Sequence, residues 1–241
     1  MKQLEGKVAV VTGAGQGLGA AICRNLAEAG VVVALTDVRP DGAERLAGEL
    51  EASGYRARSY PLDVSSHQQV EESLQRIAGD LGGIDIVINN AGVDYTKPVE
   101  ELTYDEWNKV IDVNLRGPFN VSKAALPHIR KRGSGHIVNI ASTACKRTWA
   151  NAAAYHASKW GLLGFSHALH VEAREMNIKV TAVVAGGMRT PFILERFPGT
   201  DPNVLQPPEN VAQTVRFVLT LPPETVIPEV MVIPMTETSW P

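Results

Sequence analysis

Short apolar runs alternate along this chain with longer amphipathic stretches, and that alternation constrains the fold more than any other feature. Apolar runs fall at 8–11, 31–35, 58–62, 84–88, 136–140, 179–184 and 229–233. Between them, helical spacing of apolar residues covers 17–29, 42–52, 66–80, 104–132, 155–176 and 208–219. Runs of four to six residues without alternation read as strands buried on both faces, which are the strands of a parallel sheet covered by helices. The expected class is therefore α/β, one domain, with a seven-stranded parallel sheet. Local start signals agree: Ser65 or Ser66 before the third helix, Thr103 with Glu106 three residues on, and Pro207-Pro208-Glu209 opening the last.

In a sheet of that kind ligands bind at the carboxyl ends of the strands. The first strand runs into Thr12-Gly13-Ala14-Gly15-Gln16-Gly17-Leu18-Gly19, then a helix. Glycines there permit a tight turn and close approach to a pyrophosphate, and the helix N-terminus favours its charge. The second strand ends at Asp37, 18 residues past Gly19, placed to bind the ribose hydroxyls of an adenosine and to repel a 2'-phosphate. Asp37, and Gln16 where a basic residue might stand, favour NAD over NADP; Arg39 is the counter-indication. Asp63-Val64 follow the third strand, where Asp63 reads equally as a contact to an adenine amino group or as the cap of a turn.

Ser142 closes the fifth apolar run, and Tyr155 and Lys159 are four residues apart, one helical turn, so both share a face. An ammonium beside a phenol favours the phenolate and fits the phenol for general acid–base work. Tyr-x-x-x-Lys also arises by chance in ordinary helices, and Asn89-Asn90-Ala91-Gly92, taken alone, is only a polar turn.

Composition narrows the alternatives. The formal net charge is −3 and the longest basic run is Arg130-Lys131-Arg132, which argues against nucleic acid. The two cysteines, Cys23 and Cys145, read as small buried hydrophobes of a reducing compartment. The six histidines show no metal-ligand spacing. No apolar stretch approaches a membrane span, and the expected location is cytoplasmic.

Taken together, Thr12-Gly13-x-x-x-Gly17-x-Gly19, Asn89-Asn90-Ala91-Gly92, Asn114, Ser142 and Tyr155-x-x-x-Lys159 resemble the short-chain dehydrogenase/reductase family over nearly the whole chain. The resemblance implies a single-domain Rossmann-like, three-layer, doubly wound fold that moves a hydride between NAD(P) and an alcohol or carbonyl carbon. It implies that Tyr155 is the general acid/base and that Lys159 holds the nicotinamide ribose and lowers the phenol's pKa. Ser142 would fix the reacting oxygen, and Asn114 would bend its helix and hold a water that relays protons through Lys159. Cofactor contacts would come from Gly13, Gln16, Gly17, Leu18, Gly19, Asp37, Asp63, Val64, Asn90, Ala91, Gly92, Tyr155, Lys159, Gly186 and Thr190. Asp94, Tyr95, Trp149, Met188, Phe192 and Phe197 would line a partly apolar substrate pocket, with 186–208 as the substrate loop. His156, like Trp149, could border the site or be a wall of the core.

Two features depart from the family pattern. Ala185 stands where a proline is usual, so the turn before Gly186 is less rigid. The C-terminus lacks the usual tetramer-building tail and ends in a polar stretch to Pro241, which leaves a homodimer or homotetramer expected through the helices bearing Asn114 and Tyr155. The expected function is an NAD(H)-dependent oxidoreductase interconverting a small-molecule secondary alcohol and a ketone. Its rivals are an NADP(H)-dependent 3-oxoacyl thioester or carbonyl reductase and a non-enzymatic dinucleotide sensor.

Overall fold

The computed structural model describes residues 3–237; residues 238–241 of the polar tail lie outside that range. Among the described residues seven strands form one fully parallel sheet: β1 (Val8–Thr12), β2 (Val32–Asp37), β3 (Ala57–Pro61), β4 (Ile86–Asn89), β5 (Gly135–Ser142), β6 (Ile178–Ala185) and β7 (Glu229–Val232). Their order is β3-β2-β1-β4-β5-β6-β7, so chain progress reverses between β1 and β4. That reversal leaves a crevice above the carboxyl ends of the central strands.

Burial on both faces explains the unbroken apolar runs. Ala9, Val11, Val33, Leu35, Ile86 and Ile88 pack with Ile22 and Leu26 of α1 (Gly17–Glu28), Leu46 and Leu50 of α2 (Pro40–Ala52) and Val211 and Val215 of a late helix. The alternate residues Val10, Ala34, Val87 and Ile137 pack against the opposite layer of α3 (His67–Leu81) and the helices that follow β4 and β5. Successive strand residues point to opposite faces, so one run supplies both cores. This is the doubly wound, three-layer Rossmann-like fold in a single domain.

The helix expected over 104–132 is divided. It comprises α4 (Tyr104–Ile111), a π-helical turn (Asp112–Arg116) and α5 (Gly117–Lys131). Thr103 and Glu106 form the capping box at its start. The Gly117 N–H bonds to the Asp112 carbonyl, five residues back. Pro118 stands four residues after Asn114 and has no N–H, so it cannot make the α-helical bond to the Asn114 carbonyl. The expected local bend at Asn114 is thus a π turn. Further on come α6 (Ala153–Ala173), α7 (Pro191–Leu194) and α8 (Pro208–Leu219). The 186–208 segment is not irregular throughout, as it holds α7 and a 3₁₀ turn at Pro202–Val204, bridged by Met188 and Gln206. A proline at the first position of each short helix starts a turn whose few residues give no periodicity to read.

Candidate active site

The carboxyl ends of β1, β2, β4, β5 and β6 border one cavity of about 660 Å³, lined by Gly13, Gln16, Gly17, Leu18, Asp37, Asp63, Val64, Asn90, Ala91, Gly92, Ser142, Tyr155, Lys159, Gly186 and Thr190 among others. Gly19 does not line it and acts from behind. A methyl group at Gly19 would overlap the Gly13 carbonyl oxygen and lie 2.7 Å from the Asn90 Nδ2. The loop and α1 therefore meet only because residue 19 has no side chain. Gly13, with φ +63°, is equally constrained, since a Cβ there would lie 2.9 Å from the Ala91 Cα. Gly19→Ala is expected to cost about 1–3 kcal/mol through overpacking, read as a lowered melting temperature, with weakened dinucleotide binding.

The first turn of α1 has no acidic residue, and its N-cap Gln16 makes no side-chain capping bond. Its N–H groups therefore have no side-chain acceptor and suit a phosphate. Asp37 closes the other side of this loop. Its Oδ2 accepts the Gly15 N–H at 2.9 Å and its Oδ1 accepts the Arg39 N–H at 3.0 Å, which holds the carboxylate rigidly at the cavity wall beside Arg39. Thr190 is buried and packs over Gly17. This donor and acceptor set fits a dinucleotide.

Asp63 is a turn cap that stands on the cavity wall. Its Oδ1 accepts both the Ser65 N–H at 2.9 Å and the Ser65 hydroxyl at 2.6 Å, which is a turn cap, and it also lines the cavity. Burial pushes its carboxyl up, but the Ser65 bonds and the Lys109 charge outweigh that and hold it below the usual range. The Asn90 side chain latches the glycine loop by donating to the Thr12 carbonyl at 2.9 Å and the Gly13 carbonyl at 3.1 Å. The Thr12 hydroxyl oxygen accepts the Asn90 and Ala91 N–H groups at 3.0 Å each. Gly92 lies where a Cβ would come 3.9 Å from the Lys159 Nζ and 3.5 Å from the Asn114 Oδ1.

The structure brings Ser142, Tyr155 and Lys159 to this same cavity. Ser142 ends β5 and its Oγ accepts the Ala144 N–H at 3.2 Å, capping a 3₁₀ turn and leaving its own hydroxyl proton available. Tyr155 lies in the first turn of α6 and is half-buried. Lys159, one turn on, is buried and donates to the Ile140 carbonyl at 2.9 Å, with its Nζ 5.6 Å from the Tyr155 ring centroid.

Burial dominates the electrostatics of the pair. Burial pushes the Tyr155 phenol up to about 12, while the Ser142 hydroxyl pulls it down, the Asp94 charge raises it and the Arg196 charge lowers it. Burial pushes the Lys159 ammonium down to about 8. Both groups are desolvated, which raises the phenol and lowers the ammonium, while the Lys159 Nζ stays close enough to the ring for its charge to act there.

The Asn114 side chain acts as a clamp. Its Oδ1 accepts the Val93 N–H at 2.8 Å, and its Nδ2 donates to the Val93 carbonyl at 2.8 Å and the Ser158 Oγ at 3.1 Å. The side-chain amide is committed to holding the turn after Gly92 beside α6. Its main-chain carbonyl has no α-helical donor, because Pro118 lacks an N–H.

His156 is buried and does not line the cavity, so of its two readings the wall of the core applies. Its Nδ1 pairs with the Ala144 carbonyl at 2.9 Å and its Nε2 accepts the Trp149 N–H at 3.1 Å, with the two rings edge to face. Trp149, Met188, Phe192 and Phe197 line the cavity, as does Asp94, whereas Tyr95 does not. Among the lining residues that sequence reasoning missed are Arg196 and Glu237. Glu237 accepts the Gly187 N–H at 3.1 Å through Oε2, and Ile233 and Pro234 crowd Gly186, so the C-terminal segment braces the turn that Ala185 leaves without a proline.

Among the described residues, no group of three or more His, Cys, Asp or Glu side chains is arranged to hold a metal ion, and no helix is long and apolar enough to cross a membrane.

A family model described as short chain dehydrogenase matches residues 7–199. An uncharacterised oxidoreductase of Staphylococcus aureus is 34% identical over 235 residues, covering 98% of this chain and 100% of the relative. Two solved structures carry the likeness into three dimensions. A metagenomic short-chain oxidoreductase in complex with NADP is 32% identical at a TM-score of 0.86, covering 98% of this chain and 100% of that one. A 3-ketoacyl-(acyl-carrier-protein) reductase from Brucella melitensis complexed with NADH is 27% identical at a TM-score of 0.88, covering 97% and 99%. The chain belongs to the short-chain dehydrogenase family and is an oxidoreductase with a nicotinamide dinucleotide site.

Proposed function

We propose that the protein is an NAD(H)-dependent oxidoreductase that interconverts a secondary alcohol and a ketone, with Tyr155 as general acid/base. The observation that carries this reading is the convergence of Ser142, Tyr155 and Lys159 on a cavity whose other wall holds Asp37 against the glycine loop. When bound, the nicotinamide supplies or accepts the hydride. The Ser142 hydroxyl holds the reacting oxygen and Tyr155 gives that oxygen a proton in reduction or removes it in oxidation. Lys159, with two N–H groups beyond the one given to Ile140, binds the nicotinamide ribose, and its charge stabilises the phenolate as it forms. The Asn114 carbonyl, freed of its helical donor, continues the proton path away from Lys159. Asp63 and Val64 bind the adenine side, and Thr190 and Gly186 the nicotinamide side, with 186–208 as the substrate loop.

Asp37 is the ground for NAD, since its carboxylate would receive the ribose hydroxyls and repel a 2'-phosphate. An NADP(H)-dependent carbonyl or 3-oxoacyl thioester reductase is the second reading, favoured by Arg39 at the same wall and by the NADP held in the metagenomic relative. The test of the activity itself is a screen of ketones, acyl thioesters and polyols with each cofactor. NADH-linked turnover of a ketone–alcohol pair is the expected result, and binding without turnover across the panel would return the protein to the sensor reading.

The working form is at least a homodimer in a cytoplasmic setting. Trp107 of α4, Phe119 of α5 and Trp160 of α6 are exposed on the helices that carry the site, an unusual density of large apolar surface. Sedimentation is expected to give at least twice the 26.0 kDa chain mass, and replacing Trp160 and Phe119 together by Glu is expected to yield monomers.

A further inference from the structure

Arg196 lies just past α7, in the substrate half of the cavity, and its side chain is about four-fifths buried. Its guanidinium packs 4.1 Å above the Phe192 ring, and Phe192 in turn packs 5.9 Å from the Tyr155 ring, centroid to centroid. Among the described residues it donates two hydrogen bonds, both to main-chain carbonyls: Nη1 to Phe192 at 3.0 Å and Nη2 to Asp94 at 3.3 Å. A guanidinium has five N–H groups, so three are left over.

The nearest acid is a poor counter-ion. The Asp94 Oδ2 is 3.9 Å from the Arg196 Nη1, too far for a hydrogen bond, and is engaged by the Thr96 hydroxyl at 3.3 Å, while Oδ1 is buried without a partner. Burial pushes the Asp94 carboxyl up, against the Arg196 charge, the Thr96 hydroxyl and the Tyr95 N–H. Glu237, the other acid in this half, is bound to the Gly187 N–H. A mostly buried cation beside a reaction centre, clamped by carbonyls and short of a hydrogen-bonded anion, is a prepared anion acceptor. Planar N–H pairs fit a carboxylate best.

We infer that Arg196 receives the carboxylate of the substrate, which is therefore an oxo acid or its hydroxy acid, with the acid group several bonds from the reacting carbon. The spacing follows from the stack: Phe192 separates Arg196 from Tyr155, so a 2-oxo acid is too short to reach both. This rests on the hydride-transfer reading of the site given above.

The test uses oxo acids of graded length and their methyl esters with the intact protein and NADH, read both by calorimetric binding to the protein–NADH complex and by turnover. Longer oxo acids are expected to bind about 10–100-fold more tightly than their esters, as for a charge-assisted contact. In Arg196→Gln that ratio is expected to fall toward one, with Arg196→Lys between. Equal binding of acid and ester by the unmodified protein would overturn the assignment whatever the turnover. So would a preference for amino ketones that Asp94→Asn abolished, which would make Asp94 the reader. Preferential binding of the acids with no turnover would uphold Arg196 and count against the hydride-transfer reading, so the two fail separately.

Discussion

Tyr155→Phe is expected to lower the rate of ketone reduction and alcohol oxidation by about 10²–10⁴-fold, the usual contribution of a positioned general acid or base. NADH affinity should stay within a few-fold, because the aromatic ring and its contact with Phe192 survive. Stopped-flow turnover beside a fluorescence titration of NADH separates the two effects. The pH dependence follows from the directions of the two perturbed groups. The phenol is pushed up to about 12, so its acid form is present throughout neutral pH, and reduction is limited instead by loss of the Lys159 cation above about 8. Oxidation needs phenolate and ammonium together. Below about 8 the phenolate fraction grows tenfold per pH unit while the amine stays charged; above it, loss of the ammonium cancels the gain. Alcohol oxidation is thus expected to rise with unit slope and then level near pH 8, whereas ketone reduction falls there. A continued rise of oxidation to pH 10 would show that the Lys159 charge is not lost near pH 8.

The second large effect is on cofactor choice. Asp37→Asn removes the charge but keeps an oxygen for the Gly15 N–H, so the loop should hold. Loss of a charge-assisted bond to the ribose costs about 1.5–3 kcal/mol, or roughly 10–150-fold in NADH affinity. NADPH, released from repulsion and offered Arg39, is expected to gain. The ratio of kcat/KM for the two cofactors should therefore swing toward NADPH by at least the NADH loss. If the unmodified protein already turns over faster with NADPH, the reductase reading replaces the NAD one.

Much of this was legible in the residues because burial on both faces leaves unbroken apolar runs. Val10 and Val11 serve opposite cores, and that is why the strands fall within two residues of expectation. The break at Asn114 was signalled by Pro118, whose missing N–H was there to be read, although only as a bend. The inward aim of Arg196 was hidden, because it depends on how α7 folds under the loop. That the Asn90 amide ties the Thr12 and Gly13 carbonyls was out of reach, because it needs the β1–β4 adjacency to be known. The phenol's raised pKa was also out of reach: helical spacing shows that Lys159 is near, and says nothing of how strongly both groups are desolvated.

The most direct test of hydride transfer to a carbon whose oxygen Tyr155 protonates is isotopic. With NADH deuterated at the transferring ring position and a ketone substrate, the product alcohol is expected to carry one deuterium at its carbinol carbon. Tyr155→Phe should form that product at least a hundredfold more slowly. Deuterium retained on the cofactor across the ketone panel, with NADH demonstrably bound, would contradict the account.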